Sequence, residues 1–249
     1  MCCPWRGRAC KRGGKRMDIQ LRYMEKGSGF PLVLLHGNGE DHTYFEHQMG
    51  PFGARYRVIA VDTRGHGASP RGTAPFTLDQ FARDLKELLD ELGIGRCHLL
   101  GFSDGGNTAL LFALRYPQYV EKLVLNGANL DPSGVKWTVQ LPIVLGWGLC
   151  RLFVPFSHQA RHNWELLNLM VTQPHIDPAA LSRLTMPVLV AAGERDMIRE
   201  KHTRAIAAAI PGSTLAILPG DHFAARENWQ DFNRAVLEFL LGETRPGEE

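Results

Sequence analysis

Short apolar runs rich in β-branched residues alternate along this chain with stretches of helical periodicity. Residues 19–24 alternate loosely and predict a strand, and 31–35 is a compact apolar run ending at His36-Gly37. Residues 57–61 form another such run, ending at Asp62, and 97–100, 122–125, 188–192 and 214–218 read the same way. Runs this continuous are what strands buried on both faces look like. Between them, Leu78, Phe81, Leu85, Leu88 and Leu92 step by three and four positions, with Gly93 as the stop. Residues 104–116, closed by Pro117, predict a helix, as do 201–210 and 227–241. Strands alternating with helices predict an α/β fold with a mostly parallel central sheet and helices on both faces.

The rhythm breaks at residues 131–184, which contain no good strand pattern. Apolar and aromatic clusters take its place, and a stretch of more than fifty residues without strands is better read as a helical lid than as loop. Binding pockets are usually lined by such side chains, so Leu141, Trp147, Phe153 and Trp164 are candidate substrate contacts, although packing is the commoner role for any single one. The expected organisation is one domain: a core at 17–130 and 185–242, the lid at 131–184 inserted between two late strands, and a disordered basic extension at 1–16.

Composition changes this picture at one end only. Apolar residues make up 44% of the chain and charged residues 22%, which are ordinary globular values. The formal charge of +2 is a property of the first 16 residues, which hold Arg6, Arg8, Lys11, Arg12, Lys15 and Arg16; elsewhere 22 basic residues face 26 acidic ones. Such a tail can bind nucleic acid or anionic lipid, but a solvated extension is the plainer reading. It has no apolar segment of the secretory type, and Met17, directly before the first strand pattern, is the expected native start. Cys2, Cys3 and Cys10 belong to the tail, leaving Cys97 and Cys150 in the body, which make neither a disulfide framework nor a zinc site. Cys97, inside a strand pattern, is expected to be a small core residue. No run of about 18 apolar residues appears, so no spanning helix is expected. The expected setting is cytoplasmic and reducing, with a small-molecule substrate and neither nucleic acid nor membrane as partner.

The chemistry concentrates in three places. Gly101-Phe102-Ser103-Asp104-Gly105 follows an apolar strand and precedes a helix, the context of a sharp turn that lifts a nucleophilic serine to a helix N-terminus. His36-Gly37-Asn38-Gly39 follows an earlier strand. Negative charge developing on a substrate carbonyl needs fixed donors, and the backbone N–H groups of Asp104 and Asn38 are the candidates, with Gly39 as the alternative to Asn38. A serine hydroxyl also needs a base. Of the ten histidines, His222 in Pro219-Gly220-Asp221-His222-Phe223 occupies the loop after the last strand, where the order serine, acid, histidine places it. Asp196, in the loop opening at Gly193, is the expected acid, and Asp131 is the alternative.

These residues resemble the α/β-hydrolase family along residues 19–241, through HGNG at 36–39, DTRGHG at 62–67, GFSDGG at 101–106, GERD at 193–196 and GDHF at 220–223, all in family order. The resemblance implies that Asp62, Arg64 and His66 form a structural turn. Residues 101–129 look like the corresponding region of the valacyclovir hydrolase type, which implies that Asp104 helps to hold a substrate ammonium. The bland alternative is that Asp104 stabilises a helix N-terminus. The resemblance implies a serine hydrolase that cleaves a carboxylic ester or related acyl bond of a small, partly hydrophobic substrate through Ser103, His222 and Asp196, with no metal or organic cofactor. C–C bond hydrolysis, lactone opening and aminopeptidase-like activity stand behind it on the same triad. Serine at the nucleophile position argues against haloalkane dehalogenase and epoxide hydrolase chemistry. A non-catalytic binding relative is the alternative outside enzymes, and its kind commonly loses a triad member.

Overall fold

The seven predicted strands are all present in the computed structural model, which describes residues 18–242; the expected extension at 1–16 and Met17 lie outside the described residues. In chain order the elements are β1 (Arg22–Lys26), β2 (Pro31–Leu35), α1 (Glu46–Gly53), β3 (Arg57–Asp62), α2 (Leu78–Glu91), β4 (Cys97–Phe102) and α3 (Asp104–Arg115). There follow β5 (Val120–Asn126), α4 (Trp137–Phe153), α5 (His158–Thr172), β6 (Val188–Gly193), α6 (Glu200–Ala209), β7 (Thr214–Leu218), α7 (Ala224–Glu227) and α8 (Trp229–Leu241). Three places differ from the pattern: the first strand begins later than residue 19, α1 lies where no helix was expected, and the last helix begins at Trp229 rather than at 227, with the short α7 before it.

The strands form one sheet in the order β1-β3-β2-β4-β5-β6-β7, with β1 antiparallel to β3 and every other pairing parallel. Alternate residues feed two apolar layers. Val33, Leu35, Ile59, Val61, Leu99, Leu123 and Val190 pack against α2, α3 and α6, whereas Leu32, Leu34, Val58, Leu100, Val124 and Leu189 pack against the side that receives Phe52 of α1 and Phe232 and Val236 of α8. Burial on both faces explains why the strands read as apolar throughout rather than alternating. Cys97 is fully buried, and that burial pushes its thiol up to about 12, in keeping with a core role.

The chain leaves β2 toward β3 on one side and returns to β4 on the other. This reversal leaves a crevice at the carboxyl ends of β2 and β4, the place where parallel sheets of this type bind ligands. Gly101 and Gly105 make the turn from β4 into α3 possible. A Cβ on Gly101 would collide with the Gly105 carbonyl, and one on Gly105 with the carbonyls of Leu35 and His36. Between them Ser103 sits at φ 53° and ψ −120°, and it has the only positive φ of any non-glycine among the described residues. Such a conformation costs on the order of 1–3 kcal/mol and persists where the surroundings fix it.

Further from the crevice, β4 buries His98 between the rings of Phe30 and Tyr56, with centroids 4.8 and 5.5 Å away, and its Nδ1 has no partner. Desolvation, helped by Lys122, depresses its pKa to about 4. The folded protein therefore keeps His98 neutral while the unfolded chain, with the ordinary histidine value of 6.5, takes up a proton. A depressed histidine of this kind contributes stability that is present above pH 6.5 and is lost as pH falls toward 4.

Two outcomes follow. Ser103→Gly should raise stability by about 1 kcal/mol in urea unfolding, whereas Ser103→Ala, which keeps a Cβ at the same φ, should not. His98→Phe should shrink the difference in unfolding free energy between neutral and mildly acidic buffer by about 2 kcal/mol, read from urea midpoints at the two pH values.

Candidate active site

Ser103 ends the turn and opens α3, and its Oγ lies 3.0 Å from Nε2 of His222. On the far side of the ring, His222 Nδ1 lies 2.7 Å from Asp196 Oδ1. An ionised carboxylate can only accept, so Nδ1 carries the proton and Nε2 offers its lone pair to the serine hydroxyl. Asp196 is held by the N–H of Ile198 at 2.8 Å and, more loosely, by that of Gly193 at 3.4 Å. Both His222 and Asp196 are buried. Room for the imidazole comes from Gly127, at the end of β5, where a Cβ would press on the ring at Cε1.

Asp131, the alternative to Asp196, and Asp221, next to His222, are engaged elsewhere. Asp131 accepts from the N–H of Ser133, and Asp221 from that of Phe223. His36 accepts the Thr63 N–H on Nε2 at 3.0 Å, which locks the end of β2 to the end of β3. Arg64 is buried and fork-bonded to Asp84 at 2.7 Å on both nitrogens, and Asp62 accepts from the N–H groups of His42 and Ala68. These residues build the scaffold beneath the loops. Asp41, His42 and Asp62 form the one group among the described residues whose donor atoms could meet on a metal, but the Asp62 oxygens are taken up by those N–H groups and by the His42 ring.

Asn38 and Asp104 both line the narrow cleft that opens onto Ser103, together with Asn129, Val135, Met170, Gln173, Met197 and Ile198. The backbone N–H groups of Asn38 and Asp104 have no protein acceptor among the described residues. The Asn38 side chain is otherwise occupied, since its Nδ2 donates to Asp104 Oδ2 at 2.9 Å and to the Leu166 carbonyl of α5 at 2.8 Å. Asp104 also accepts from Asn107 Nδ2 at 3.1 Å, and Asn107 in turn bonds Asn129. Burial raises the Asp104 pKa, against the lowering effect of the two amides.

The four aromatic and aliphatic residues expected to touch substrate are not at this cleft. Leu141 and Phe153 point to solvent, Trp147 donates its Nε1 to Asn168 Oδ1 at 3.1 Å, and the Trp164 ring lies beneath Arg151. The side of the cleft nearest α4 and α5 is formed instead by Val135, Met170 and Gln173. For the three on α4 the reason is geometric: it is the outer of two antiparallel helices, and its inward residues meet α5 before they can reach the sheet; Trp164 sits on the side of α5 turned toward α4, under Arg151.

Glu40 escaped the sequence reading. Its Oε2 accepts the Gly37 N–H at 3.1 Å and so braces the loop that carries Asn38. Desolvation raises its pKa to about 7, opposed by that hydrogen bond and by the nearby His222 and Arg226. The acid three residues after Gly37 was the only available signal, and it is indistinguishable from a solvated loop residue.

Comparison with known proteins agrees with this architecture. An alpha/beta hydrolase fold family model matches residues 31–149. The chain is 45% identical to a 2-hydroxy-6-oxononadienedioate/2-hydroxy-6-oxononatrienedioate hydrolase of Burkholderia vietnamiensis, over 90% of this chain and 91% of that protein. It is 31% identical to the human serine hydrolase BPHL, over 89% and 83%. The crystal structure of a hydrolase from Pseudomonas aeruginosa superposes with a TM-score of 0.69 at 29% identity, covering 89% of this chain and 94% of that one. The sheet order, the elbow and these relatives together place the chain in the α/β-hydrolase fold family, as one of its hydrolytic enzymes.

Proposed function

We propose that this protein is a serine hydrolase that cleaves a carboxylic ester or related acyl bond of a small, partly hydrophobic substrate. The unbroken hydrogen-bonded line from Ser103 through His222 to Asp196 carries the reading. His222 Nε2 takes the hydroxyl proton as Ser103 Oγ attacks the carbonyl carbon, and Asp196 holds the resulting imidazolium. The backbone N–H groups of Asn38 and Asp104 receive the oxyanion. His222 then delivers its proton to the leaving alcohol, and water repeats the sequence to free Ser103 from the acyl group.

The helical insertion serves in this reading as a lid, because Met170 and Gln173 of its distal end roof the cleft. The lining favours uncharged substrates. The Burkholderia relative is named for substrates with two carboxylates, whereas no Lys or Arg lines the cleft beside Ser103 here and one buried carboxyl, Asp104, does. A dianion would be poorly matched there, which favours ester hydrolysis over the C–C reaction of that relative. Asp104 is already engaged by two side-chain amides, so its first role is to hold the Asn38 loop against α3, ahead of binding a substrate ammonium.

A fluorophosphonate probe should label the wild type and not Ser103→Ala; equal labelling would unseat Ser103 as nucleophile. With a p-nitrophenyl ester, His222→Ala and Asp196→Asn should each lower kcat by on the order of 10⁴-fold with little change in folding. Aminoacyl esters and matched esters without the amine should react within about threefold of each other, since the Asp104 oxygens are occupied. A strong aminoacyl preference that disappears in Asp104→Asn would assign amine recognition to that carboxyl.

A further inference from the structure

The outward face of α4 plays no part in the site just described. None of the 17 residues of this helix is buried, although it is among the most apolar segments of the chain. Its side-chain hydrogen bonds both run to α5, from Trp147 to Asn168 and from Gln140 Nε2 to the Met170 carbonyl at 3.2 Å, while Arg151, exposed, lies over the Trp164 ring at the edge between the two helices. The opposite side carries Trp137, Leu141, Leu145, Leu149 and Leu152, spaced by three and four, and continues to Phe156. Trp137 and Phe156 at its ends are 70% and 83% exposed. Eight of the eleven exposed large hydrophobics among the described residues fall between positions 137 and 156. The concentration matters because scattered apolar residues are normal on a surface, whereas a continuous stripe marks a contact.

Charge selects the occupant. Residues 132–164 contain no Asp or Glu, in a chain where acids outnumber bases beyond the first 16 residues. The same stretch exposes Lys136, Arg151 and Arg161, none of which pairs with a carboxylate among the described residues. A second copy related by two-fold symmetry would oppose this surface with an identical one, which offers three more cations and no counter-charge. A bilayer with anionic headgroups supplies both needs at once: an acyl layer for Trp, Leu and Phe, and phosphates for the basic rim.

We propose that the outer face of α4 docks this protein on anionic lipid bilayers. The helix lies in the plane of the headgroup–acyl boundary, with Lys136, Arg151 and Arg161 on the phosphates. The expectation of no membrane partner rested on the absence of a spanning run, and no helix among the described residues is long and apolar enough to cross a membrane. Lying in the interface requires only one apolar face, which α4 has.

The test is co-sedimentation of the full chain with vesicles of phosphatidylcholine alone and of phosphatidylcholine mixed with phosphatidylserine. Wild type should bind the mixed vesicles, more weakly as salt is added. Leu145→Glu combined with Leu149→Glu should reduce binding by at least about tenfold with unchanged circular dichroism. Should that variant misfold, Lys136→Gln with Arg151→Gln and Arg161→Gln tests the rim instead, and should abolish the preference for phosphatidylserine while leaving the stripe intact. The proposal falls if wild type stays in the supernatant, or if the stripe and rim variants bind like wild type. It also falls if glutamine at the six basic positions of residues 1–16 alone removes binding. A dimer in light scattering that Leu145→Glu with Leu149→Glu dissolves would equally overturn it, since the occupant would then be a second copy.

Discussion

The close approach of three backbone segments at the carboxyl ends of β2 and β4 is the constraint on which the rest depends. Gly105 lies against the carbonyls of Leu35 and His36, and Gly101 against Gly105, with no space for a Cβ at either. That contact drives α3 directly beneath the loop after β2, which brings Asn38 and Asp104 to the lining of the same cleft. It also forces Ser103 into a conformation that only glycine adopts freely, with its Oγ raised toward His222. One steric fact thus places the hydroxyl, the helix N-terminus and the Asn38 loop together.

Around this contact the protein spends its polar residues on holding loops rather than on surface. His36 bonds the end of β3, Arg64 is buried against Asp84, and Glu40 braces Gly37. Buried groups of this kind are tolerable only because nearly every one has a partner. Two of the exceptions, Nε2 of His66 and Nδ1 of His98, lie on rings that desolvation keeps neutral, His66 with a pKa near 3.

Much of this was legible in the sequence because the signals were local or strictly ordered. The strands announced themselves as apolar runs, Gly101 to Gly105 as a strand-turn-helix, and His222 and Asp196 by their loops after β7 and β6. Loop position favours Asp196 over Asp131, and in the structure Asp196 bonds His222 whereas Asp131 bonds Ser133. What escaped depended on contacts distant in sequence. Helix α1 has Gly50, Pro51 and Gly53 within eight residues, so its periodicity is obscured and its place is decided by Phe52 packing on the sheet. The Asn38–Asp104–Asn107–Asn129 network joins four ordinary polar residues that no motif connects. Leu141, Trp147, Phe153 and Trp164 lie off the cleft for a related reason: aromatic richness marked the segment, but not which faces of its two helices turn inward.

The two helices of the insertion are attached very differently. Helix α5 is pinned to the core by the Asn38 amide at Leu166, by the paired Arg71–Glu165 bonds at 2.9 and 2.7 Å, and just past its end by Gln173 to the Leu78 N–H. The side-chain bonds of α4 run to α5 alone. The start of α4 is tied to the core as well, by the Lys136 N–H to the Met197 carbonyl at 2.9 Å. The hairpin is therefore a beam clamped along α5 and hinged where α4 begins, so a load on the outer helix reaches Met170 and Gln173 by bending α5 and reaches Met197 through that hinge.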